Sequence, residues 1–354
     1  MNQNLIDTFK QLISTKNNEI EELKKDKETN AVQIKQLTFK IINFRTTLKA
    51  IIEHPTEIKS GKDLQDKKGI GPRIVKRIDE ILEKGTLDKE INDNQNTKSK
   101  FNNLEELLKI TGIGPSKANT LLKENITLQI LLDEINKIDY DLERQEESSI
   151  LSKLTHHQMI GLKYFEDIQI RIPRAEIVKI EKKLVKFIGE IDAKIEVIIC
   201  GSYRREKQDS GDIDMLVLHP DIKTEYEFIS SERKFLIEIV EKLTKKKLLI
   251  DNLTDKGETK YMGLCRLSKT KPARRIDIRF INYESKAAAL LYFTGSGNLN
   301  KNMRTEALKK GYTINEYGIY KLRKDKNKGK MIKVNTEKDI FDLIGMEYLE
   351  PKDR

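Results

Sequence analysis

The most constraining stretch runs from Cys200-Gly201-Ser202-Tyr203-Arg204-Arg205 to Asp209-Ser210-Gly211-Asp212-Ile213-Asp214. The apolar run Ile198-Ile199-Cys200 ends on a glycine and a serine, which offer an unhindered backbone and a hydroxyl. Arg204 and Arg205 follow with guanidinium forks suited to phosphate. Asp212 and Asp214 stand two residues apart. On a strand such residues share a face about 6.6 Å apart, while Ile213, Met215 and Val217 turn to a core. Paired carboxylates beside a phosphate cradle suit magnesium, a hard cation usually held by one or two carboxylates together with substrate phosphates. The combination points to nucleotidyl-transfer chemistry.

A third carboxylate follows in Arg274-Arg275-Ile276-Asp277-Ile278-Arg279-Phe280. Strict alternation puts Arg275, Asp277 and Arg279 on one face and Ile276, Ile278 and Phe280 on the other. Asp277 is therefore the natural companion of Asp212 and Asp214. Helices are expected over Glu176 to Ile191 and Phe228 to Lys245, and strands over Ala193 to Cys200, Leu248 to Leu253 and Lys260 to Leu267. A helix of small residues and leucine, Ala287 to Phe293, breaks at Thr294-Gly295-Ser296-Gly297. Another starts at Asn300-Lys301-Asn302-Met303-Arg304, and a hairpin is expected through Tyr320.

The N-terminal part reads as helical from Asn4 to about His54, with Asn17 to Asn30 as a helix end and loop. Then come Gly69-Ile70-Gly71-Pro72 and, repeated, Gly112-Ile113-Gly114-Pro115, each opening an amphipathic helix. Such a turn exposes unsatisfied backbone N–H groups at a helix start, where phosphate is favoured, and proline suits the first helical turn. Two copies make a helix-hairpin-helix repeat that grips a DNA backbone without reading its sequence. Asp88 to Lys100, rich in Asn, Asp and Lys, reads as a flexible linker between them. Thr155-His156-His157 is read as capping and structural, because adjacent helical residues point about 100° apart and no third metal ligand lies nearby.

The 67 Lys and Arg against 57 Asp and Glu give a net charge of +10, which draws a chain toward polyanions. Cys200 and Cys265 are the only cysteines and both lie in apolar runs, so they read as core thiols in a reducing compartment, with neither a disulfide framework nor a zinc site. No apolar run approaches the 18 residues of a membrane span, and the N-terminus lacks the apolar centre of a signal peptide.

Taken together, these motifs resemble the family X DNA polymerases, most closely the polymerase beta type. The resemblance is carried by Gly201 to Arg205, Ser210 to Asp214, Lys256-Gly257-Glu258-Thr259-Lys260, Arg275 to Arg279, Tyr292 to Ser296, Asn300 to Arg304, and Phe341-Asp342 through Glu350-Pro351-Lys352-Asp353-Arg354. It implies an α+β protein in the minimal layout, without a BRCT-type domain. A helical lyase-like domain (1–92) and a helical DNA-binding subdomain (93–173) would precede a nucleotidyltransferase palm with a mixed β-sheet (174–284). A small α/β subdomain that binds the nascent base pair (285–354) would complete it.

The resemblance further implies two Mg2+ ions, with Mn2+ as a substitute, on Asp212 and Asp214, and Asp277 on the catalytic ion near the primer 3′ hydroxyl. The triphosphate would meet Arg171, Ser202, Arg205, Ser210 and Gly211. Tyr292, Phe293 and Gly295 match the segment that excludes a ribose 2′ hydroxyl, and Asn300 and Arg304 match contacts to the new pair. Arg275 and Lys260 match DNA contacts, as do Lys40, Lys89 and the turn glycines Gly69, Gly71, Gly112 and Gly114. Na+ or K+ is expected on the carbonyls of both turns. The partners would be gapped or nicked duplex DNA and deoxynucleoside triphosphates, with the chain acting as a monomer in short-gap filling of the base-excision type. It would work in the nucleus if cellular, or in a virion or cytoplasmic replication site if viral.

Two residues depart from the family pattern. Gly297 stands where an aspartate often lies near the incoming base. Arg77 stands where a lysine forms a Schiff base with an abasic sugar, and arginine stays protonated and cannot do so. The 5′-deoxyribose phosphate lyase activity is therefore expected to be lost or moved to Lys76. A template-independent terminal transferase and a non-catalytic DNA-end-binding scaffold remain as alternatives.

Overall fold

A computed structural model describes residues 2–23, 30–67, 69–85, 95–254, 257–325 and 327–354, the side chains of 18, 22 and 95–101 excepted. Two compact units emerge, Met1–Lys109 with Ile113–Ile130, and Ile110–Gly112 with Leu131–Arg354.

In the first unit, helix Gln3–Leu23 packs on helix Ala31–Ile52. Leu5, Phe9 and Leu12 fall on one helical stripe and are fully buried, and Phe9 meets Phe44 edge-on at 6.0 Å. Helix Pro72–Lys84 completes this core with Ile74, Ile78 and Ile81 at the same periodicity. Each such aliphatic side chain contributes about 1.5–3 kcal/mol on burial. Ser60 and Asp63 form a capping box, and the Asp79 carboxylate accepts from Ser60 Oγ and the Gly61 amide. A side chain at Gly61 would collide with the Val75 carbonyl, so this close approach requires glycine.

The two Gly-x-Gly turns share one backbone geometry. Gly69 and Gly112 have φ of 89° and 90°, a left-handed conformation that favours glycine. Gly71 and Gly114 then cap their helices with φ/ψ of −95°/175° and −94°/175°. The repeat read from the sequence is thus a conformational repeat.

Three expectations change. The helix beginning at Gln3 continues through Asn17 to Leu23, carried by good helix formers and a Lys16–Glu19 pair. Of the expected linker, Asp88 to Asn94 lies outside the described residues, as does Lys89, whereas 95–100 opens helix Gln95–Leu108. Buried Leu107 anchors that helix, which propagates back into the polar stretch. The single helix expected over Phe228 to Lys245 is two, Glu225–Ser230 and Phe235–Lys245. Ser230 turns its hydroxyl onto the Tyr226 carbonyl and ends the first.

The second unit is built on a five-stranded sheet in the order β2-β4-β7-β6-β5, where β2 is Glu196–Ile199, β4 Ile213–Leu218, β5 Leu249–Asn252, β6 Lys260–Cys265 and β7 Arg274–Phe280. Only β4 and β7 pair in parallel; the other neighbours are antiparallel. Helices Arg174–Gly189 and Phe235–Lys245 cover one face, where Ile213, Met215, Val217, Ile276, Ile278 and Phe280 are buried. The opposite face carries two small apolar clusters, one around Leu216, Leu218 and Ala289 and one around Ile160, Leu253 and Leu264. Arg274, 3% exposed, locks β7 to the first covering helix through a two-point pair with Glu176 at 2.8 and 3.0 Å.

The C-terminal part packs a three-stranded antiparallel sheet, order β10-β9-β8, with β8 at Tyr312–Asn315, β9 at Gly318–Leu322 and β10 at Lys328–Ile332. Helices Lys286–Thr294, Gly297–Lys309 and Glu337–Ile344 share its core with Ile319, Ile340 and Phe341. The architecture is α+β, with helices before a mixed sheet. Cys200 and Cys265 are buried core thiols, each pushed up to about 12 by burial.

Candidate active site

The Cys200 amide donates to the Asp214 carbonyl at 2.7 Å, which ties the end of β2 to β4. The chain then makes a single helical turn, Gly201–Arg204, entered with Gly201 at φ +57°. A Cβ at Gly201 would collide with Asp214 Oδ2, so the turn and the carboxylate fit together only with glycine present. Gly201→Ala therefore displaces Asp214, and kcat/KM for the reaction at this site is expected to fall about 10²-fold. Steady-state kinetics read beside a melting curve separate this from simple unfolding.

The cradle closes through a second small sheet, in which β1 (Ile172–Pro173) pairs with β3 (Asp209–Ser210). Ser202 Oγ and Ser210 Oγ are 2.8 Å apart. Arg171 donates to the Asp209 carboxylate at 2.7 Å and stands beside Gly211. The fold thus gathers Arg171, Ser202, Ser210 and Gly211.

The two arginines of the cradle diverge. Arg205 donates to the Thr294 carbonyl at 2.5 Å, next to Gly295, and its Nε is buried without a partner. Arg204 is not free for phosphate, contrary to the sequence reading. It holds Glu337 at 3.0 and 2.7 Å and Thr294 Oγ1 at 2.5 Å, and Glu337 in turn accepts from fully buried Arg354 at 2.6 Å. This Arg–Glu–Arg cluster, buried at Glu337 and the Arg354 side chain and partly exposed at Arg204, fixes the cradle to the C-terminal helix instead.

Parallel pairing sets Asp214 directly opposite Asp277, on neighbouring strands. Neighbouring strands lie about 4.8 Å apart. Asp212 precedes β4, and Arg275 Nη2 reaches between it and Asp277, 3.5 Å from the first carboxylate and 3.4 Å from the second. Burial and the negative charges of Asp212 and Asp277 push Asp214 up to about 7. Asp277 is also raised, chiefly by burial, with Arg275 opposing, and its Oδ1 is buried without a partner. Burial is the largest cause of both shifts, and Arg275 opposes each. Among the described residues no three His, Cys, Asp or Glu side chains are grouped closely enough to hold a metal ion, so Asp212, Asp214 and Asp277 are not brought together as a ready ligand set; Arg275 lies between Asp212 and Asp277. An orphaned, buried carboxylate oxygen beside two further carboxylates fits oxygen-preferring divalent cations.

Tyr292 and Phe293 stand edge-to-face at 5.1 Å, and Asn300 Nδ2 donates to the Tyr292 carbonyl at 2.8 Å. The Arg304 guanidinium lies 5.3 Å over the Tyr292 ring. These residues, separate in sequence, form one corner. Lys260 lies at the start of β6, in register with Arg279, and its charge favours the ionised form of Asp277.

In the first unit, a groove of about 1380 Å³ runs along helix Ala31–Ile52 and the first Gly-x-Gly turn. Lys40, Gly69, Gly71, Arg73 and Arg77 line it, and the Arg77 guanidinium sits 5.5 Å over Phe44. Lys76 is exposed and does not line the groove. Lys35, which the sequence reading missed, does. Its signal was a second apolar stripe, Val32, Phe39 and Ile42, that is exposed and separate from the buried Ile41, Phe44 and Ile51. In the second turn, Gln158 Nε2 donates to the Gly112 carbonyl at 3.0 Å. The neighbouring histidines do not cap the helix themselves: Thr155 and Gln158 form the capping box, His156 Nε2 lies 3.2 Å from the Asn252 carbonyl, and His157 Nε2 is buried without a partner.

Comparison with known proteins adds family matches over most of the chain. A helix-hairpin-helix domain matches residues 1–87, a DNA polymerase beta palm 171–283 and a DNA polymerase beta thumb 289–354. DNA polymerase lambda of Arabidopsis thaliana is 31% identical over 328 residues, covering 88% of this chain and 57% of its own length. DNA polymerase lambda of Rattus norvegicus is 31% identical over 299 residues, covering 81% and 47%. DNA nucleotidylexotransferase of Xenopus laevis is 26% identical over 335 residues, covering 85% and 61%. The chain spans about half the length of the curated relatives it matches.

Proposed function

Because this chain belongs to the family X DNA polymerases, we propose that it is a DNA-directed DNA polymerase that fills short gaps in repair. The observation that carries the reading is the parallel register of Asp214 and Asp277 beside the Gly201 and Gly211 cradle. Asp212 and Asp214 would hold two Mg2+ or Mn2+ ions, with Asp277 on one of them. Such ions, when bound, supply positive charge at the attacking and leaving oxygens of an in-line displacement that releases pyrophosphate.

The protein groups bind and orient. Ser202, Ser210, Gly211, Arg171 and Arg205 take the triphosphate through hydroxyls, backbone amides and guanidinium forks. Tyr292, Phe293 and Gly295 shape the sugar site for a deoxynucleotide, with Asn300 and Arg304 beside the new base pair. Arg275 and Lys260 meet the primer and template strands. Lys40, Lys89 and the glycines of both turns grip backbone phosphates, and the matched geometry of the turns supports Na+ or K+ on their carbonyls. The division of labour follows residues 1–92, 93–173, 174–284 and 285–354. The matched relatives come from eukaryotes, which supports work in the nucleus.

A second reading, template-independent addition, draws on the match to a DNA nucleotidylexotransferase. The test is extension of a primer across a one-nucleotide gap, with and without the template strand. We expect incorporation of the complementary deoxynucleotide alone, and none on the unpaired primer. Equal extension without template would replace the first reading by the second.

A further inference from the structure

The hairpin formed by β9 and β10 carries Lys321, Arg323, Lys324, Lys328, Lys330 and Lys333, all exposed. Asp325 is the only acidic residue between 321 and 333. Its carboxylate is already taken by the Asn327 amide and side chain, both at 2.9 Å. Among the described residues none of the six cations pairs with a carboxylate. By contrast, Lys309 and Lys338, elsewhere in the same C-terminal part, hold Glu306 and Asp342. The Lys328 ammonium rests on the Tyr320 ring at 3.5 Å.

Two explanations for such a cluster can be separated. Lysines on an edge strand discourage edge-to-edge association, and β10 is an edge of its sheet. That accounts for Lys328 and Lys330. It does not account for Arg323 and Lys324, which follow the end of β9, nor for Lys321 on the central strand, nor for Lys333 beyond β10. Lys and Arg fill seven of the thirteen positions 321–333, and among the described residues no ion pair offsets the mutual repulsion of the six named here. An external polyanion does.

We infer that this hairpin is a separate docking arm for the phosphate backbone of duplex DNA. The sheet that bears it packs through β8 on helix Gly297–Lys309, the helix of Asn300 and Arg304. A cationic arm there adds sequence-independent grip on DNA held at the catalytic centre. Arg and Lys in such numbers act through counterion release, so their mark is the salt dependence of binding rather than base preference.

The inference rests on the polymerase reading, and its test keeps the two apart. Binding of the full chain to a gapped duplex is measured by fluorescence anisotropy across a salt series, for wild type and for the variant with all six cations changed to Gln. Each lost phosphate contact lowers the slope of log K against log salt by about 0.9. The variant is expected to lose about 3–5 from the slope, with unchanged incorporation at saturating DNA. The pair Arg323→Gln and Lys324→Gln, outside the paired strands, guards against misfolding and should lose about 1.8 by the same rule. An unchanged slope in both variants overturns the arm while leaving polymerase activity standing. Weakened binding to polyglutamate with an unchanged DNA slope would assign the hairpin to an acidic protein and overturn it as well. Absence of incorporation by wild type would instead remove the polymerase reading.

Discussion

Asp277→Ala is expected to lower single-turnover incorporation by about 10³-fold, which is about 4 kcal/mol of transition-state stabilisation. The residue faces Asp214 across parallel strands, and one of its oxygens is buried without a protein partner. A buried unsatisfied carboxylate oxygen is costly to keep, so its retention points to a partner that arrives with the substrate. The backbone should tolerate the change, because Ile276 and Ile278 on the other face hold β7 in the core. DNA affinity should stay near wild type, since only a negative charge is removed. Arg275 would then lean on Asp212 alone, which leaves Asp277→Asn as the control that keeps the shape while removing the charge. Incorporation by either variant at the wild-type rate would dismiss Asp277 from the catalytic centre.

What was legible in the sequence was local. Asp212 and Asp214 flank one buried isoleucine, and the alternation through β7 placed Asp277 on a polar face because a strand has period two. The repeated Gly-x-Gly turns were legible because their φ near 90° is available to glycine at little cost. Pairings across long separations were not legible. No pattern within either segment says that β4 and β7 are neighbours in register, and a one-residue slip would have removed Asp277 from Asp214. Arg204 looked like a phosphate ligand until its partner, Glu337, was brought 133 positions along the chain to neutralise it. Arg171 gained its place in the cradle from the short β1–β3 pairing, too brief to carry a periodic signal. Helix Gln95–Leu108 was hidden because its first half is polar and its apolar anchor lies at the far end.

Arg77→Lys is expected to create a borohydride-trappable cross-link to an incised abasic duplex, where wild type stays at the no-enzyme background. Schiff-base formation needs a neutral amine, and a guanidinium is never deprotonated in a protein. Arg77 lines the groove with Lys40, Gly69 and Gly71 and lies against Phe44, so a lysine placed there would face the same groove. Lys76 is one residue away on the same helix, about 100° around the axis, and is exposed to solvent outside the groove. Its displacement argues that it does not replace the missing amine, which sharpens the sequence-based choice between loss and relocation in favour of loss. The groove nevertheless keeps cations that suit a 5′ phosphate, Lys35, Lys40 and Arg73 among them, so binding of a 5′-phosphorylated gap should survive in wild type and in Arg77→Lys alike. Trapping by wild type that disappears in Lys76→Ala would restore Lys76 as the nucleophile. Trapping that survives Lys76→Ala but is lost in Lys35→Ala or Lys40→Ala would move the chemistry to the opposite wall of the groove, on helix Ala31–Ile52.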